Sequence, residues 1–220
     1  MSSSQEHEVK DFNQEYFFVL YPREDDKTIN VLPHLSPDDD TAKLPYENSV
    51  LPVGLKPLVF ENGAADFNAK YGRKSIKQPP EVLFSGNYPL VSGRLRETLL
   101  KFELPNVSLQ PAIFVDDWGT WHEDYWFLTF TSFFDCWDRQ TSDYDPSSQP
   151  ISIGGDVMHN VYRFSLNNAL LSNTPLRDRL LFMMGGALDA YVVAHQSIAG
   201  LFTNAGGSHV IPVSDFPDKW

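Results

Sequence analysis

The apolar residues of this chain fall in short, aromatic-rich runs separated by polar and proline-rich stretches, a pattern of strands more than of helices. After a polar leader that reaches about Asp11, the run 16–21 (YFFVLY) predicts a strand. Pro33, Pro37, Pro45, Pro52 and Pro57 then forbid long helices, because each removes an amide donor and restricts the residue before it. Irregular structure with short strands, such as 58–60, is expected between Pro22 and Pro89, with Asp38, Asp39 and Asp40 in a loop. The first helix signal is 92–102 (SGRLRETLLKF): Ser92 can cap it, Leu95, Leu99 and Phe102 recur at helical spacing, and Pro105 stops it. A hairpin follows over 107–130, with arms 109–115 and 125–130 and the connection 116–120 (DDWGT), where Gly119 can supply a positive backbone angle. Further strands are expected at 133–137, 157–166, 180–184 and 190–194, with Gly185 and Gly186 opening the connection between the last two.

Many strands around very few helices imply an α+β fold with a largely antiparallel sheet. A proline-rich region, 1–84, precedes a second region, 85–220, and the two are expected to form one compact unit. The length of 220 residues and the 42% hydrophobic content support a folded chain, since this length buries roughly 70% of the surface an unfolded chain exposes.

Charge narrows the partners. The formal net charge is -12, from 17 Lys and Arg against 29 Asp and Glu. Nucleic acid is therefore an unexpected direct partner, and a basic protein is the natural complement. The acidity is regional: residues 1–60 carry 11 acids and 5 bases, 61–100 carry 4 and 6, 101–160 carry 10 and 2, and 161–220 carry 4 of each. No run of about 18 apolar residues suggests a membrane span, and the leader MSSSQEHEVK lacks the apolar core of a secretory signal, so a cytoplasmic location is expected. The single cysteine, Cys136, rules out an internal disulfide and agrees with a reducing compartment.

Catalytic signals are weak. Cys136 lies between Asp135 and Asp138, whose charge opposes the thiolate that a nucleophile with His7, His34, His122, His159, His195 or His209 would need. His122, Glu123 and Asp124, with Asp116 and Asp117 across the hairpin, are legitimate metal donors, yet they match neither HExxH nor an EF-hand. The doublets Gly154–Gly155, Gly185–Gly186 and Gly206–Gly207 lack the lysine or spacing of a phosphate loop and read as turns. No enzyme, cofactor or metal is expected. The stronger signal is the hairpin tip, where Trp118 and Trp121 stand among Asp116, Asp117, Glu123 and Asp124, next to His122. Tryptophan is favoured at interface hot spots and surrounding charge steers encounter, although the same rings could fold back onto the core. A second acidic and aromatic stretch, with Asp135, Asp138, Asp143 and Asp145, is expected to extend the same face.

The order YPLVSGRLRETLLKFELPNVSLQPAIF, EDYWFLTF, the segment Cys136 to Ser142, VYRFSLNNALL and LLFMMGG resembles the type-eleven family of bacterial polymorphic-toxin immunity proteins, long catalogued as a domain of unknown function. The resemblance covers about residues 85 to 202: 92–99 matches that family's helix, 125–129 its second strand, 138–142 its Asp and Ser segment, and 181–184 its late strand. Thr129 and Thr131 stand where it would have an asparagine, and 185–220 reads as a hairpin and tail instead of its closing helix. The resemblance implies a non-enzymatic inhibitor, without catalytic residues or cofactor, that binds a toxin delivered between bacterial cells, often a nuclease and often by type VI secretion. A carbohydrate- or small-ligand-binding module is the alternative, motivated by 5 Trp, 9 Tyr and 16 Phe, and a hydrolase with a carboxylate or histidine site is the third reading.

Overall fold

The computed structural model describes residues 11–23, 34–47, 50–72, 78–147, 150–153 and 156–219; the polar leader 1–10, with His7, and the Gly154–Gly155 turn lie outside the described residues. In chain order the strands are β1 (Tyr16–Leu20), β2 (Ser36–Pro37), β3 (Leu58–Glu61), β4 (Val82–Ser85), β5 (Tyr88–Ser92), β6 (Val107–Val115), β7 (Trp121–Phe130), β8 (Phe133–Phe134), β9 (Asp143–Tyr144), β10 (Ile151–Ile153), β11 (Asp156–Met158), β12 (Val161–Arg163), β13 (Leu181–Met184), β14 (Val192–His195) and β15 (His209–Pro212). The helices are α1 (Ala65–Lys70), α2 (Gly93–Leu99), α3 (Asn168–Asn173) and α4 (Gln196–Ala205).

The fold is α+β and mostly antiparallel, as the strand-rich pattern predicts, but the strands form two main sheets where a single one was expected. One has the order β15-β1-β14-β13-β8 and the other β2-β3-β6-β7-β5-β4. Parallel pairing occurs between β3 and β6 and between β13 and β8. Two small ribbons, β10 with β11 and β9 with β12, complete the strand structure.

Side-chain alternation distributes these strands over three apolar layers. Val19, Leu181, Met183, Val192 and Ala194 from the five-stranded sheet meet Val82, Phe84, Val91, Leu128 and Phe130 from the six-stranded sheet, with α2 and α4 contributing Leu95, Leu99, Ile198 and Phe202. The opposite face of the first sheet presents Tyr16, Phe18, Phe182 and Val193 to Trp137, Phe164, Leu171 and Phe216. The opposite face of the second packs Leu58, Phe60, Leu90, Ala112, Phe114 and Phe127 against Leu35 and Tyr46. Both faces of the central strands are buried, which is why YFFVL and LFMM are continuous apolar runs without alternation.

The N-terminal region is woven into both sheets. β1 lies between β14 and β15, β3 lies beside β6, and the expected division at residue 84 runs through β4, which pairs with β5. Ser92 caps α2 as predicted, its side chain accepting from the amide of Leu95, but the helix ends at Leu99, short of Phe102. The expectation of a hairpin and tail over 185–220 is overturned. β13 and β14 do pair, but the ten-residue helix α4 follows and the chain returns as β15 against β1. The strand expected over 157–166 is likewise two short strands, β11 and β12, and its end, Leu166, only bridges Trp137.

Candidate acidic and aromatic surface

The β6–β7 hairpin carries the candidate site at its turn. Asp116 builds that turn: its Oδ1 accepts from the amides of Trp118 (3.0 Å) and Thr120 (2.9 Å), and its Oδ2 lies 3.0 Å from His122 Nε2. Gly119 adopts φ +76°, as a turn that returns the chain within these residues requires. Burial would raise the Asp116 carboxyl, but the bonds from Thr120, His122 and Trp118 outweigh it and hold the group below the usual carboxylate range. Asp117 Oδ1 accepts from the amide of Ala64 at 2.9 Å and so ties the turn to the start of α1. Between them lies an open cleft of about 360 Å³ lined by Glu61, Ala65, Val115, Asp116 and Asp117, outside the carboxyl ends of the parallel pair β3 and β6.

The return strand starts earlier than expected. Trp121 to Asp124 belong to β7 and not to the connection, with Val115 opposite Trp121 and Phe114 opposite His122. The register then slips: Ala112 faces Tyr125, so Glu123 and Asp124 together oppose Ile113 as a β-bulge. The extra residue reverses the alternation, turning His122 onto the Phe114 ring (centroids 5.5 Å, interplanar 19°) and Trp121 to the other side, away from that core. Trp118 and Trp121 are 58% and 57% exposed. Glu123 and Asp124 are also exposed, and the Asp124 carboxylate occupies the space a Cβ on Gly93 would need, at the start of α2.

The second acidic stretch is not brought to this surface. Trp121 and Phe130 are separated by most of β7, roughly 30 Å of extended chain, and residues 135–145 follow β8 on the other sheet. There Asp135 forms a forked ion pair with Arg139, whose guanidinium also stacks 3.7 Å from the centroid of Trp137. Trp137 is 1% exposed. Asp138 accepts from the amide of Gln140 at 2.7 Å, Asp143 lies opposite Arg163 between β9 and β12, and Asp145 accepts from the amide (2.8 Å) and hydroxyl (2.6 Å) of Ser147. Cys136 is fully buried, 3.9 Å from the Met184 sulfur, and burial pushes its thiol well above the ordinary range, with the Asp135 charge adding to the effect.

Glu61 and the bulge are the parts of the surface that sequence reasoning missed. An acid directly after the apolar run LVF was the only hint of Glu61, and two consecutive polar residues at 123–124 gave no sign of a register slip. Among the described residues no three His, Cys, Asp or Glu side chains converge as metal donors. His195 caps α4, with Nδ1 3.2 Å from the Ser197 amide and 2.8 Å from its hydroxyl, and Nε2 3.7 Å from Glu15. No described helix is long and apolar enough to cross a membrane. No protein-family model matches the chain, and no curated protein matches it.

Proposed function

We propose that this protein is a cytoplasmic immunity protein that neutralises a cognate antibacterial toxin by stoichiometric binding, with the turn end of the β6–β7 hairpin as its docking surface. The observation that carries the reading is the pair of exposed tryptophans, Trp118 and Trp121, set among carboxylates in a chain of net charge -12. A nuclease toxin, of the kind delivered by type VI secretion, must be basic where it grips phosphate, and an acidic inhibitor can occupy that face. Charge complementarity accelerates such encounters by about 10- to 1000-fold, which matters when the toxin must be captured before it acts. The resemblance over residues 85 to 202 points the same way, with no catalytic residues or cofactor implied.

The test is co-expression with the product of the neighbouring gene. Co-purification as a complex and protection of cells making the toxin are expected; a folded protein that does neither refutes the proposal. A carbohydrate- or small-ligand-binding module is the second reading, favoured by the cleft of about 360 Å³ lined by Asp117 and Gly119, the chain neighbours of Trp118. Saturable shifts of the Trp118 indole signal with a monosaccharide or oligosaccharide panel, at concentrations where a basic protein gives none, would favour that reading instead.

A further inference from the structure

The four described tryptophans form two contrasting pairs. Arg96 lies 3.8 Å from the ring centroid of Trp126, and Arg139 lies 3.7 Å from that of Trp137. Trp118 and Trp121 are more than half exposed, and among the described residues neither has a cation or another ring against it. Nor can the adjoining chain supply one, because no Lys or Arg occurs between Lys101 and Arg139. An indole face attracts cations through its quadrupole, and the flat guanidinium of arginine stacks on it better than a compact, strongly hydrated ammonium does.

The surroundings favour the same visitor. The Asp116 oxygens are taken by two amides and His122, but among the described residues the Glu61 carboxylate has no hydrogen bond or ion pair and the Asp117 carboxylate uses one oxygen only. Both line the cleft beside the turn, so a guanidinium stacked near Trp118 finds carboxylate acceptors for its fork. Resting on the immunity reading above, we infer that the basic partner docks through arginine side chains stacked on Trp118 and Trp121, so that its surface is selected for arginine over lysine at equal charge.

The experiment titrates the full chain with a hexa-arginine peptide and a hexa-lysine peptide at fixed ionic strength, following the indole N–H signals of Trp118 and Trp121. Hexa-arginine is expected to bind about 2- to 30-fold more tightly, the range of a cation–π contact from an exposed to a desolvated ring. Trp118→Ala and Trp121→Ala, at exposed positions that leave the fold intact, should each reduce that preference, while Glu61→Gln weakens both peptides alike. Equal affinity for the two peptides, or a preference unchanged in both tryptophan variants, overturns the inference. A cognate toxin that binds both variants as tightly as the parent also overturns it and leaves the immunity reading standing. A chain that selects hexa-arginine through these tryptophans but captures no toxin supports the stacking surface and removes the immunity reading.

Discussion

Residues 116–124 and 135–145 are nearly interchangeable in composition, each mixing tryptophan with four acids, yet the fold puts them to opposite uses. At the hairpin turn the indoles stand in solvent, and three of the acids, Asp117, Glu123 and Asp124, have no basic side chain paired to them among the described residues. In the second segment Trp137 is packed between Phe164, Tyr144 and His159, Arg139 covers its face, and the Asp135 charge is paired. What separates them is the neighbourhood. The hairpin turn follows the last ladder pair, Val115 and Trp121, and leaves its indoles exposed, whereas the second segment closes over the apolar face of the five-stranded sheet. An acidic and aromatic composition is therefore no surface signal until it is known what lies beneath it.

The contrast predicts a graded series. Trp137→Ala should cost about 3–5 kcal/mol in urea unfolding, as for other buried aromatics, while Trp118→Ala stays within about 0.5 kcal/mol. Equal costs would break the distinction. Gly186 and Gly119 share a left-handed backbone, φ +70° and +76°, but a Cβ on Gly186 would lie 2.6 Å from Arg139 Nη2 whereas Gly119 has open space. Gly186→Ala should therefore displace the ends of Arg139 and Asp135 and lose somewhat more in thermal or urea melts than Gly119→Ala, which carries only the strain of about 1 kcal/mol. Asp116→Ala removes the acceptor that organises the hairpin turn and should cost about 1–2 kcal/mol at neutral pH. Because the folded carboxyl titrates below its unfolded value, that stabilisation is fully present above about pH 4 and fades as pH falls through the folded pKa, so the gap between parent and variant in urea unfolding should narrow as the pH is lowered below about 4. The smallest effect is kinetic. Neutralising Glu123 and Asp124 should slow association with the proposed basic partner about 2- to 10-fold and flatten its salt dependence, whereas neutralising Asp135 and Asp143 should leave stopped-flow rates nearly unchanged.

The features legible in the sequence are the local ones. Ser92 before a stripe of Leu95 and Leu99 announces a capped helix, and two apolar arms around DDWGT announce a hairpin, because each signal lies within a few residues of what it specifies. α4 gave no such signal: its cap is the His195 side chain, and Gly200 and Thr203 are poor helix formers. Packing of Ile198, Ala199 and Phe202 between the sheets holds it, and that support is contributed by strands far away in the chain. α3 does carry a recognisable cap in Asn167, but its six residues are too few to show an apolar stripe. The candidate surface divides along this line as well. Its turn chemistry could be read from Asp116 and Gly119, but neither the addition of Glu61 from β3 nor the departure of Asp135 to Asp145 could, since both depend on which strands become neighbours.

The bulge at Glu123 and Asp124 acts as a gear between the two ends of one strand. From Tyr125 to Phe130 each side chain answers to a core that tolerates little change. Beyond the extra residue the count restarts, so the outer turn can vary its aromatic and charged positions without transmitting the change inward. Deleting one of the two acids would remove the bulge and keep the partners, Ala112 opposite Tyr125, Phe114 opposite His122 and Val115 opposite Trp121, so His122 stays on the Phe114 ring and Trp121 stays outside on a more regular ladder. Substitutions at the outer end of this hairpin are thus uncoupled from its interior packing.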